Sequence, residues 1–123
     1  MRTARVVMTA VKTADIQECE IPDRPAAGHL LIRSEATVIS AGTELANWLG
    51  TDATVHEPGY WNSYPWIAGY GNVGTVLAAG AGAERFAPGT RVFTHGPHAS
   101  AFHHDAARLV VPVPPDVEPG LAA

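Results

Sequence analysis

The 123-residue chain has a single cysteine, no cluster of basic residues and no long apolar run. Cys19 alone can form neither an internal disulfide nor a cysteine cage for zinc, so we interpret it as a small strand residue. Eight Lys and Arg against twelve Asp and Glu give a net charge of −4, which disfavours a nucleic-acid surface. No segment approaches the roughly 20 apolar residues of a transmembrane helix, and the N-terminus turns polar too soon for a signal peptide. The simplest expectation is a cytoplasmic protein without a membrane or nucleic-acid partner.

Valine and turn-forming residues are abundant. Valine, with 12 copies, is the commonest large aliphatic residue, and 12 Gly and 10 Pro together make 22 turn formers. Valine favours strands, and frequent Gly and Pro favour short connections between them. One mainly β domain spanning residues 1–123 is therefore predicted.

Apolar and alternating segments indicate where the strands lie. We predict strands over residues 5–9, 15–21, 29–39, 72–79, 91–94 and 109–113. A short helix is predicted with Ser40 or Thr43 as its N-cap, Glu44 as a solvated acid in its first turn, and Gly50 at its end. A second helix, capped by Asp116, is predicted near the C-terminus.

Residues 51–68 show no usable period and contain three turn formers, so a long loop is predicted there. Six of the nine aromatic residues lie in or beside this stretch, which argues for an ordered loop.

Residues 69–74, GYGNVG, match the G-x-G-x-x-G pattern letter for letter. A dinucleotide-binding turn needs a strand before it, a helix after it, and an acidic residue roughly 20 positions further on. Here a loop precedes the motif, a predicted strand follows it, and residues 91–95 contain no acid. We therefore interpret these glycines as permitting a turn and close backbone packing.

Four stretches follow one another in the order and spacing of a known domain: GHLLIRSEATVISAGTEL, YPWIAGYGNVGTVLAAGAG, FAPGTRVF and VPVPPDVEPGLAA. On these stretches the chain resembles the N-terminal GroES-like domain of medium-chain dehydrogenases/reductases, within the zinc-independent branch that includes bacteriochlorophyllide dehydrogenase. The resemblance implies a partly open Greek-key β-barrel with short helices. It also implies NAD(P)(H) as cofactor, held mainly by a Rossmann domain that these 123 residues do not include, in cis or in another chain. A carbonyl/alcohol or enone substrate would then bind between the two domains.

The resemblance also predicts that catalytic zinc is absent. Zinc-dependent members carry Cys-Gly-Thr-Asp where this chain has Ala41-Gly42-Thr43-Glu44, and Tyr70 stands where a Gly-His-Glu motif supplies histidine. Ala41 cannot bind a metal, and a phenol has replaced the imidazole. Thr90 differs from the aspartate usual in the family's Gly-Asp-Arg-Val motif.

Hydride transfer without zinc still needs a proton donor and a group that polarises the substrate oxygen. The resemblance assigns a proton-relaying hydroxyl, close to the cofactor, to Thr43, and the phenol of Tyr70 could donate a proton. The alternatives are that Thr43 only caps a helix and that Tyr70 only packs among aromatics. His98 is the histidine favoured for substrate contact or acid/base work.

Five aromatic residues could line an apolar or planar substrate pocket: Trp48, Tyr60, Trp61, Tyr64 and Trp66. Alternatively, they only cover the open end of the barrel.

Four imidazoles lie within ten residues, namely His95, His98, His103 and His104. Such a tract is compatible with metal binding but lacks helical i, i+4 spacing, so the question stays open. His29 and His56 are expected at the surface.

Three functions compete. The first is the catalytic domain of a zinc-free NAD(P)-dependent oxidoreductase, present as a fragment or truncated form, redox-inactive alone and able to form a homo-oligomer. The second is a stand-alone barrel that binds a small ligand or catalyses non-redox chemistry. The third, a GroES-like co-chaperonin, is disfavoured because no flexible apolar loop occurs in the first third of the chain.

Overall fold

A computed structural model describes residues 1–123, which form eight strands and three short helical segments. The strands are β1 (Arg2–Ala10), β2 (Thr13–Glu20), β3 (His29–Val38), β4 (Trp66–Ile67), β5 (Gly71–Ala79), β6 (Arg91–Thr94), β7 (Ala101–Asp105) and β8 (Val110–Pro112). The helical segments are α1 (Thr43–Leu49), a 3₁₀ helix (Ala53–His56) and α2 (Pro119–Ala122). The predicted mainly β domain is confirmed, and none of its helices is long and apolar enough to cross a bilayer.

The strands form two antiparallel sheets, with orders β2-β1-β4 and β7-β3-β5-β6-β8. The segment before β7 joins them through Ser100. The Ser100 N–H donates to the carbonyl of Ala4 in β1 (2.8 Å), and the Ser100 carbonyl accepts from the N–H of Ser34 in β3 (3.0 Å). The two sheets therefore form a partly open barrel.

The larger core lies on the inner face of the five-stranded sheet. Leu30 and Ile32 of β3 are fully buried against Val76 of β5 and Val92 of β6. Full burial of each such side chain is worth roughly 1.5–3 kcal/mol, so this core contributes substantially to the stability of the fold. A smaller core contains Met8, Trp66 and Ala68, and Trp48 and Tyr64 pack against it.

Two helix caps differ from the prediction. Thr43 is the first residue of α1 and not its cap, and its N–H donates to Ser40 Oγ at 3.1 Å. Asp116 does not cap α2, because Glu118 precedes that helix and no side chain caps it. The predicted end of α1 is confirmed, since Gly50 adopts a left-handed φ of +68° there.

Strand β7 was not predicted. Its sequence, AFHHD, carries no alternation of apolar and polar residues that would mark a strand. Pairing with the buried strand β3 determines its conformation, with Phe102 opposite Ile32 and His104 opposite Leu30. Tertiary pairing here overrides a weak local signal.

The G-x-G-x-x-G motif leads into strand β5, and its interpretation as a packing motif is confirmed. Gly69 has a φ of +107°, and a Cβ built on it would lie 2.3 Å from the backbone nitrogen of His98. A Cβ on Gly74 would lie 2.5 Å from the carbonyl oxygen of Arg33. Neighbouring backbone thus occupies the space that a side chain would need at both positions.

Candidate active-site cleft

A cleft of about 410 Å³ opens beside the N-terminal end of α1. Residues from the β3–α1 turn, the long loop, the start of β5 and the end of β6 line it: Ser40, Thr43, Glu44, Trp61, Trp66, Gly69, Tyr70 and His95. The barrel thus brings together residues that lie as much as 55 positions apart (95 − 40 = 55).

Glu44 is the buried charged group of the cleft, and its prediction as a solvated acid is wrong. Its side chain is only 3% exposed. One carboxylate oxygen accepts a hydrogen bond from His98 Nε2 at 2.8 Å, and the other accepts from the Ser40 N–H at 2.5 Å. Where the carboxylate is ionised it only accepts, so Nε2 then carries the proton. These two donors offset the loss of hydration that burial imposes on the carboxylate.

His98 lies behind Glu44 and does not line the cleft. Its N–H donates to the carbonyl of Ala68, and its carbonyl accepts from the N–H of Val6, both at 2.8 Å. Gly69 makes this close approach possible, as described above. The imidazole, 11% exposed, is therefore rigidly placed and contacts the cleft through the carboxylate of Glu44.

Thr43 and Tyr70 both line the cleft. Both residues are exposed, Tyr70 by 49%, and neither hydroxyl forms a hydrogen bond within the chain. Two unbonded hydroxyls at one cleft can bind the oxygen of a ligand. Of the three predicted catalytic residues, Thr43 and Tyr70 thus share the cleft, whereas His98 reaches it only through Glu44.

Of the five aromatic residues predicted to line a substrate pocket, two line this cleft. Trp61 and Trp66 line the cleft and meet edge to face, with ring centroids 5.6 Å apart and planes at 86°. Three of the predicted wall residues lie elsewhere. Tyr60 is exposed on the loop, and Trp48 lines a separate apolar pocket beside Met8. Tyr64 is partly buried, and its hydroxyl donates to a carbonyl of α1.

A buried polar network that the sequence analysis missed orders the loop carrying Trp61. Asn47 of α1 and Asn62 of the loop are fully buried, and Asn62 Nδ2 donates to Asn47 Oδ1 at 2.9 Å. Thr54 Oγ1 lies 2.9 Å from Asn62 Oδ1 and 2.6 Å from a carboxylate oxygen of Asp52. The hydroxyl and backbone N–H of Thr54 lower the pKa of Asp52. Only contacts between distant segments identify these residues, because polar side chains in an aperiodic loop carry no local signal.

The four histidines of the tract separate in the fold. His95 lines the cleft edge-on to Phe93, whereas His103 lies 3.0 Å from the carbonyl of Pro22. His104 is buried, with its Nε2 3.1 Å from the carbonyl of Leu109, and burial lowers its pKa. No three His, Cys, Asp or Glu side chains come together as a metal-binding group.

The other two histidines lie outside the cleft. His56 is exposed as predicted, and His29 is half-buried.

A second, apolar groove of about 480 Å³ adjoins the cleft, and Tyr70 lines both. Phe93, Val38, Val113 and Val117 contribute to its walls. Tyr70 therefore has a polar and aromatic cleft on one side and a mainly apolar groove on the other.

A family model described as the alcohol dehydrogenase GroES-like domain matches residues 26–114. No curated protein sequence matches the chain. Among solved structures, human synaptic vesicle membrane protein VAT-1 homolog-like protein is 21% identical with a TM-score of 0.79, covering 99% of this chain and 38% of that one. Pseudomonas syringae quinone oxidoreductase is 20% identical with a TM-score of 0.74, covering 98% and 36%. A mycobacterial protein complexed with NADPH is 25% identical with a TM-score of 0.68, covering 98% and 35%. The chain thus spans somewhat more than a third of the length of these structures, with which it shares its fold.

Proposed function

The chain belongs to the alcohol dehydrogenase GroES-like domain family of medium-chain dehydrogenases/reductases, and we propose that it forms the substrate side of a zinc-free oxidoreductase acting on a carbonyl, alcohol or enone. The observation that carries the proposal is the cleft at the start of α1, where Thr43 and Tyr70, whose hydroxyls form no hydrogen bond within the chain, line the same cavity as Trp61 and Trp66. Reduction of a carbonyl requires a proton at the oxygen, and the chain supplies two hydroxyl donors for it.

The aromatic and polar residues have different roles in this proposal. Trp61 and Trp66 contact an apolar or planar substrate and exclude water from it. The hydroxyls of Thr43 and Tyr70 bind the substrate oxygen, orient it and donate a proton as negative charge develops there. The reverse reaction requires the same groups to accept that proton from an alcohol.

His98 acts through Glu44 as a positioning residue. The 2.8 Å bond to His98 and the 2.5 Å bond to the Ser40 N–H hold the carboxylate of Glu44 in one orientation at the cleft wall. Thr43 is the neighbour of Glu44 in the first turn of α1, so the pair also holds the turn that carries the Thr43 hydroxyl.

A nicotinamide nucleotide supplies or accepts the hydride in this family, but these residues offer no cradle for its phosphates. The single G-x-G-x-x-G motif leads into a strand, and neighbouring backbone fills the space beside Gly69 and Gly74. We place nucleotide binding in a further domain, in cis or in another chain. Thr43 is the residue of this domain that would approach it.

The residues at the two zinc-ligand positions do not fit zinc. Ala41 has no donor atom, Tyr70 presents a phenol in place of an imidazole, and the carboxylate of Glu44 already accepts two hydrogen bonds. Metal analysis after purification without a tag tests this, and stoichiometric zinc would contradict it.

Titration of the chain with acetophenone, a planar aromatic ketone, followed by ¹H–¹⁵N NMR, tests the cleft. We expect saturable shifts at Thr43, Gly69, Tyr70 and the Trp61 indole. Tyr70→Phe should weaken binding about two- to twelvefold, because it removes one hydrogen bond of roughly 0.5–1.5 kcal/mol. Tyr60→Phe is the matched control, since Tyr60 is exposed and does not line the cleft.

Equal affinities of the two variants would contradict the role of Tyr70, and shifts confined to another surface would contradict the site.

Titration with NADPH and NADH should show no saturable binding to these 123 residues, and tight binding would contradict a separate nucleotide domain. An oxidoreductase whose nucleotide domain lies in cis predicts that the reading frame continues into a strand, a glycine-rich turn and a helix.

A further inference from the structure

Trp61 combines high exposure with a fixed position in the cleft wall. It is 66% exposed, more than any other aromatic residue, whereas Asn62, the next residue, is fully buried. The indole of Trp61 meets that of Trp66 edge to face, with ring centroids 5.6 Å apart, and both residues line the cleft. Trp66 is only 9% exposed, so Trp61 provides most of the indole surface that a ligand in the cleft can contact.

The chain that follows Trp61 is bound to a single residue of α1. Asn62 Nδ2 donates to Asn47 Oδ1 at 2.9 Å, and the hydroxyl of Tyr64 donates to the backbone carbonyl of Asn47. Asn47 and Asn62 are both fully buried, so water does not compete for the hydrogen bond between them. These contacts fix the loop next to the exposed indole.

Asn47 also relates the indole to the hydroxyl at the cleft. Thr43 and Asn47 both belong to α1, and their spacing of one helical turn places them on the same side of that helix. The loop that carries Trp61 and the turn that carries Thr43 are therefore held in one arrangement. A ligand that contacts both does not bear the entropic cost of ordering the loop.

We propose that Trp61 determines the specificity of the cleft, which selects flat, conjugated carbonyl compounds over saturated ones of the same size. This inference rests on the proposed function, in which the hydroxyls at the cleft bind the carbonyl oxygen. A flat ring contacts an indole with all of its atoms or meets it edge to face, whereas a puckered saturated ring reaches it with fewer atoms. Asn62 is a positioning residue, because its hydrogen bond to Asn47 holds the chain beside the indole.

NMR titrations of the full chain with acetophenone and with cyclohexyl methyl ketone test the proposal. The two ketones have the same carbon skeleton and the same acceptor oxygen, but only acetophenone is flat. We expect the unaltered chain to prefer acetophenone. Trp61→Leu should lower the ratio of the two affinities about two- to twelvefold, because an aromatic pair contributes that much beyond the burial of area. The affinity for the saturated ketone should change little, since leucine is also apolar.

Two further variants serve as controls. Trp61→Phe keeps an aromatic ring and should retain a preference for acetophenone. Tyr60→Leu removes the neighbouring exposed aromatic residue, which lies outside the cleft, and should leave the ratio unchanged. Because Trp61 and Tyr60 are exposed, all three variants should fold.

Three results would overturn this inference and leave the proposed function intact: an unchanged ratio in Trp61→Leu, an equal loss in Tyr60→Leu, or an equal loss in Trp61→Phe. No saturable binding of either ketone would overturn the proposed function as well, so the two failures are distinguishable.

Asn62→Ala tests the positioning role. It removes the bond to Asn47 and should lower both the heteronuclear NOE of the Trp61 indole N–H and the ratio of the two affinities, while the saturated ketone still binds. Should Asn62→Ala not fold, Tyr64→Phe removes the other hydrogen bond to Asn47 and should change both quantities in the same direction. An unchanged NOE and an unchanged ratio in the folded variant would overturn the positioning role.

Discussion

Replacement of Glu44 by alanine tests whether the buried carboxylate holds the cleft together. The substitution leaves the Ser40 N–H and the His98 Nε2–H without their acceptor. Each unsatisfied donor costs roughly 1–3 kcal/mol, and partial access of water from the cleft moderates the sum, so we expect a loss of about 3 kcal/mol in the free energy of unfolding. Glu44→Gln keeps one acceptor oxygen and should lose about 1 kcal/mol.

Urea unfolding followed by circular dichroism measures these changes, with Glu57→Ala as the control. Glu57 is exposed and its carboxylate has no partner, so its substitution should stay within about 0.5 kcal/mol of the unaltered chain. The loss at Glu44 corresponds to a drop in Tm of roughly 10 °C for a domain of this size. A double-mutant cycle with His98→Ala should give a coupling energy of about 1–2 kcal/mol. If Glu44→Ala is as mild as Glu57→Ala, or if the coupling is zero, the bond to His98 does not stabilise the fold.

Backbone packing and acid stability provide two further predictions. Gly69→Ala should lower the free energy of unfolding by more than about 3 kcal/mol or prevent folding, because its Cβ would lie 2.3 Å from the backbone nitrogen of His98. Gly82 is the control: it has a φ of +85° and open space around it, so Gly82→Ala should cost about 1–2 kcal/mol. Equal losses of the two variants in thermal unfolding would refute the steric explanation. Because burial lowers the pKa of His104 below its ordinary 6.5, the unfolded chain takes up the proton first. Its contribution to stability is therefore complete above pH 6.5 and falls as the pH drops from there towards the pKa of the folded state. Denaturant titrations from pH 7.5 to 5 should show that the free energy of unfolding depends less on pH in His104→Asn than in His103→Asn. Parallel curves for the two variants would contradict this role of His104.

Local sequence signals predicted most of the strand and helix positions correctly. The predicted strand over residues 91–94 matches β6, and the helix that starts at Thr43 ends before Gly50 as its left-handed turn requires. These elements are predictable because β-branched residues, turn formers and a glycine at a positive φ each restrict or favour the conformation of the backbone at their own position. Strand β7 escaped prediction because only its pairing with β3 makes it a strand.

The candidate site was predicted less completely than the fold. Thr43, Tyr70, Trp61 and Trp66 were selected by residue type and resemblance, and they do share one cleft. Tyr64 was selected on the same grounds, yet its hydroxyl is used inside the protein. The chemistry of a side chain indicates what it can do, and its position in the fold decides whether it can reach a ligand.

The sequence by itself determined the mainly β architecture and the family, because these follow from residue identity and local spacing. Only the tertiary structure decided that Glu44 is buried against His98, which lies 54 residues further along the chain. Burial and pairing of charges depend on which distant segments the barrel brings together, and no local pattern records that.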